Sequence, residues 1–63
     1  MKETLFLPIV VENSETEEGV AEEIAVRYGL TWYHSGEYEG GWPVIVFSGD
    51  SEGISALEDD YEN

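Results

Sequence analysis

A chain of 63 residues without a cysteine has to hold itself together with one small apolar core. No disulfide can staple it, no thiolate zinc site can form, and a single histidine, His34, leaves no imidazole cluster. So short a chain hides only about 60% of the surface its unfolded form exposes. Ordering costs roughly 1.5 kcal/mol per residue, which burial at about 25 cal/mol per Å² barely offsets. Self-association is the remaining staple, so a homodimer, or a chain stabilised by its target, is expected. Residues 1–63 make one domain at most.

The apolar residues fall into readable segments. Thr4 to Val11, TLFLPIVV, is β-branched or apolar at nearly every place, which reads as a strand buried on both faces. Pro8 cannot donate to a ladder, so a free edge or a bulge is expected there. A helix opens at Asn13-Ser14-Glu15-Thr16-Glu17, where Ser14 and Glu17 fit a capping box and Thr16 is a rival cap. Val20, Ala21, Ile24, Ala25 and Tyr28 then share one face, with Glu15, Glu18 and Glu22 on the other and Glu23 and Arg27 paired on the flank. Gly29 stands where a left-handed cap is needed, and Leu30 can fold back onto Ile24 or Ala25.

Thr31 to His34 is aromatic and β-prone, Ser35-Gly36 marks a turn or bulge, and Glu37-Tyr38-Glu39 leads to Gly40-Gly41. Trp42 to Ser48 follows, with Val44 to Phe47 unbroken and apolar, and the two segments read as an antiparallel hairpin. Gly49-Asp50-Ser51 ends that strand and opens a second helix with Ile54, Leu57 and Tyr61 on one stripe. The acids at 58, 59, 60 and 62 oppose the negative end of that helix, so fraying is expected. The order β-α-β-β-α gives an α+β domain, a three-stranded sheet with two helices on one face. A right-handed crossover sets strand three beside strand one, as in a ferredoxin-like split βαβ lacking its last strand. The second sheet face is too apolar to stay wet. A second copy, the target or the aromatic hairpin is expected to cover it.

Chemistry is sparse. Gly49-Asp50-Ser51 has the opening of a serine hydrolase motif, but no histidine follows to act as base. The loop from Ser48 to Gly53 suits phosphate in its backbone, yet Asp50 and Glu52 repel the ligand and the Walker lysine is absent. Carboxylate pairs drawn from Glu37, Glu39 and Asp50 arise by chance among fifteen acids, and the acids lack the spacing of an EF-hand. No enzyme, cofactor or metal site is expected, and His34 reads as a structural or rim residue.

Charge carries the functional reading. Fifteen acids against Lys2 and Arg27 give a formal net charge of -13, which repels nucleic acid and anionic membranes and attracts basic surfaces. The apolar run near the N-terminus is too short for a signal core or a membrane span, so a cytoplasmic location is expected. The leading expectation is a non-enzymatic inhibitor of the kind phages and mobile elements encode. It would present carboxylates as a mimic of nucleic-acid phosphates to a nucleic-acid-binding protein. Glu15, Glu18, Glu22, Glu58, Asp59 and Asp60 would supply the field, and Trp32, Tyr38 and Trp42 of the aromatic hairpin the anchor. The alternative is a homodimeric interaction module that binds through its sheet edge or open face. A third reading makes the acids a solubility device of a high-salt cell.

Overall fold

The unbroken apolar run Val44 to Phe47 takes the middle of the sheet, where both edges of a strand are paired and both faces can be covered. In the computed structural model, which describes residues 1–62 and the side chains of residues 1–61, the order is β1 (Lys2–Pro8), α1 (Glu17–Tyr28), β2 (Thr31–Glu39), β3 (Trp42–Asp50) and α2 (Ser51–Glu62). The sheet order is β1-β3-β2, and both pairings are antiparallel. The first strand therefore lies beside the third with the middle strand outside, the strand order expected, in a small α+β domain.

Local chemistry sets the turns. Gly40 and Gly41 have φ of 58° and 87°, and a two-residue loop between Glu39 and Trp42 needs positive φ at both places to match the strand twist. The expected irregularity falls between His34 and Tyr38, where the register with β3 shifts. Gly29 closes α1 in the left-handed region, at φ 68° and ψ 37°, and the amide of Leu30 bonds back to the Ala25 carbonyl at 2.8 Å.

Both helices pack on the same face of the sheet and on each other. There Ile45 and Phe47 of β3 join Ile9, Ala21, Ile24, Ala25, Leu30, Ile54 and Leu57 in one buried cluster. Phe47, Ile9, Ile45 and Leu57 are fully enclosed, and each such side chain contributes about 1.5–3 kcal/mol by leaving water.

Four expectations need correction. β1 spans Lys2–Pro8 rather than 4–11, although the Ile9 amide still reaches the Pro43 carbonyl at 3.0 Å. Nor is β1 buried on both faces, since with both helices on one side Leu5 and Leu7 pack inward and Phe6 is left exposed. The cap of α1 is Thr16, whose hydroxyl accepts the Gly19 amide at 3.0 Å; Ser14 and Glu15 lie in a preceding turn, outside the helix. In α2, Ile54 and Leu57 are buried in the core but Tyr61 is exposed and not packed against it, so the apolar stripe is covered only over its first two members. The acid Glu62, counted in the charged tail, has its side chain outside the described residues.

Candidate functional site

The crossover packs α1 along β2, and this brings carboxylates of the helix over the aromatic side chains of the strand. By register Trp32 and His34 stand on the helix-facing side, opposite Phe47 and Ile45. The indole N–H of Trp32 donates to Glu22 Oε2 at 3.2 Å. His34 Nε2 lies 3.3 Å from Glu18 Oε2, and its Nδ1 lies 3.9 Å from Glu17 Oε1. The two rings meet edge to face, with centroids 5.3 Å apart. Trp32 is half-buried against the core, so this strip is at once packing and a polar surface.

Thus Glu18, Glu22 and Trp32 are brought together, with His34 and Glu17 as members that sequence reasoning did not link to them. No local signal could have found that grouping, because it depends on which flank of α1 meets β2. Glu15 is not part of it: in the turn before α1, its carboxylate accepts the Glu12 amide at 3.1 Å. The even stripe of Glu15, Glu18 and Glu22 on an outward helix face therefore does not exist. Two of its members lean onto the sheet and the third precedes the helix.

The remaining site residues lie elsewhere. Tyr38, past the bulge, is exposed and opposite Pro43, while Trp42 stands opposite Glu39 beside the glycine turn. Glu58, Asp59 and Asp60 are exposed near the end of α2. Tyr28 donates a hydrogen bond to Asp60, and this bond first, then desolvation, raises the phenol pKa above its ordinary 10.0. On the α1 surface Arg27 reaches Glu23 at 3.5 Å, with both side chains exposed.

A hollow of about 240 Å³ lies at the opposite end of the sheet, lined by Lys2, Gly29, Thr31, Ser48, Gly49 and Asp50. The Ser51 amide that opens α2 is already bonded to the Met1 carbonyl at 3.0 Å, which takes one donor a phosphate would need. Packing accounts for Gly49, because a Cβ there would come within 2.6 Å of Leu30 Cδ2. Among the described residues no group of three or more His, Asp or Glu side chains is placed to hold a metal, and no helix is long and apolar enough to cross a membrane. No protein-family model, curated protein or solved structure matches the chain significantly.

Proposed function

We propose that the chain is a non-enzymatic, cytoplasmic binding protein that sets the carboxylates of its helical layer against a basic surface of a nucleic-acid-binding protein, in place of nucleic-acid phosphates. The observation that carries this reading is the segregation of charge. Nine of the fifteen acids belong to α1 and α2, and the one base among them, Arg27, is engaged by Glu23. A layer with that imbalance concentrates negative potential on one side of a small body, and such fields steer basic partners. The mimicry is one of field rather than of spacing, since no regular stripe of carboxylates runs along α1.

The test is capture of partners on immobilised protein, elution by a salt gradient, and competition of each captured protein with its own nucleic acid. Partners released by moderate salt and displaced from nucleic acid support the reading, provided that a Glu23→Gln, Glu52→Gln, Glu58→Gln variant loses the competition. Partners that resist salt, or bind the neutralised variant equally well, overturn it.

A further inference from the structure

The side of the sheet turned away from the helices carries a second, differently built surface. By register and alternation it presents Thr4, Phe6 and Pro8 from β1, Trp42, Val44, Val46 and Ser48 from β3, and Thr31 and Tyr33 from β2. Phe6, Val46 and Tyr33 stand in one row across the three strands. Val46 is enclosed at 1% exposure while its flanking rings remain open, Phe6 at 59% and Tyr33 at 56%, with Trp42 at 40%. The acids reach this face only around its margin, with Asp50 opposite Lys2 at one end, Glu39 opposite Trp42 at the other, and Glu37 by alternation on the outer edge of β2 at the bulge.

We infer that this face binds the same face of a second copy of the chain, so that two sheets pack against each other and the helical layers lie outermost. The inference does not depend on the proposed function, which concerns the opposite side of the molecule.

Area, charge and shape each favour a copy over another occupant. The three rings, each worth about 150–250 Å² when fully covered, leave roughly 300 Å² open at these exposures. With the threonines and the part-exposed Pro8 the face offers at most about 600 Å², so a pair buries up to about 1,200 Å², the size of a weak interface at the lower end of the standard range. Two chains of formal charge -13 repel wherever their acids meet, and the centre of this face is free of them. In a face-to-face pair the two helical layers stand roughly 30 Å apart, three layer spacings of about 10 Å each. That is several times the Debye length of about 8 Å at physiological salt, so their repulsion is screened. In the central row of this face, Phe6, Val46 and Tyr33, a foreign basic protein finds no charge to orient it. A copy supplies a sheet of the same twist and the same row of rings, as aligned sheet packing under two-fold symmetry requires.

Sedimentation equilibrium across concentrations from about micromolar to about millimolar, at two ionic strengths, tests this, with micromolar association expected for an interface of such size. The wild type should dimerise, and more weakly as salt is lowered. Phe6→Glu and Tyr33→Glu, both at half-open positions, should weaken the dimer by about tenfold or more, as truncating a central anchor does. Val26→Glu, on an exposed position of α1, adds the same charge and should leave association nearly unchanged. Amide shifts of the wild type on dilution give a readout free of any folding defect, with Phe6, Tyr33 and Val46 moving and α1 and α2 still. A monomer at every concentration, a folded Phe6→Glu protein as dimeric as the wild type, or association that tightens at low salt each overturns the inference. So does a monomer whose face is covered instead by a different protein.

Discussion

The phenol of Tyr28, at the last residue of α1, donates its hydrogen bond to the carboxylate of Asp60 near the end of α2, across a separation of 32 positions. It ties the end of α1 to the last turns of α2. Because the bond exists only while the phenol keeps its proton, Tyr28 titrates above its ordinary 10.0, an effect that the nearby Arg27 only partly offsets. Tyrosinate absorbance, compared with that of Tyr28→Phe, should show this phenol titrating above its ordinary value, and Asp60→Ala should bring it back down. With the folded value raised, the stability from this contact is present below the unfolded phenol's pKa and is lost as pH rises through the folded one. If Asp60→Ala leaves the titration unchanged, the contact is absent in solution.

Two residues compete to start α1, and the structure selects Thr16. Thr16→Ala should lower the unfolding free energy by about 1 kcal/mol, the usual loss for a helix cap. Ser14→Ala, in the turn before the helix, should stay within about 0.5 kcal/mol of the wild type. Urea unfolding of the two variants side by side decides it, and the reverse ranking would restore the capping box at Ser14.

Gly53 lies inside α2, where alanine would ordinarily be favoured by about 1 kcal/mol. Here the added Cβ would come within 2.5 Å of the Tyr28 carbonyl oxygen and 3.1 Å of Leu30 Cδ2. Gly53→Ala should therefore destabilise the domain by about 1–3 kcal/mol, as overpacking does, despite the better helix propensity. Thermal melting followed by circular dichroism measures this, and a gain in stability would mean that α2 sits further from the end of α1.

A chain with fifteen acids and two bases repels itself. Raising ionic strength shortens the Debye length from about 30 Å at 0.01 M to about 8 Å at 0.15 M. The melting temperature at fixed protein concentration should rise by several degrees over that range. A salt-independent melting temperature would show that the acids are far enough apart, or well enough solvated, to make repulsion negligible.

The parts of the fold that could be read from the sequence are those set by near neighbours. Val44 to Phe47 announces a central strand, Gly40-Gly41 a tight hairpin, and Gly29-Leu30 the end of α1, because each signal lies within a few residues of its effect. The one-sided exposure of Phe6 could not be read the same way. TLFLPIVV is apolar at alternate places on both sides, and only the placement of both helices on one face decides which half is covered. The same holds for the candidate site. The acids of α1 are visible as a charge excess, but that Glu22 meets Trp32 and Glu18 meets His34 follows from the crossover of α1 onto β2. Ser14 and Thr16 are both acceptable cap residues two places apart, and local pattern alone does not rank them; the structure has Thr16 as the cap.

The pairing of Lys2 with Asp50 and of Pro8 with Val44 sets an order on assembly. The β2–β3 hairpin, with its two-residue turn, closes within about 1–10 µs of becoming free to do so. β1 has no such neighbour, since its partner follows it by most of the chain. On the ribosome, where synthesis runs at about 5–20 residues per second, β1 emerges seconds before β3 and waits with its apolar residues unpaired. The hairpin can therefore form without β1, whereas β1 finds its partner only once β3 has been made.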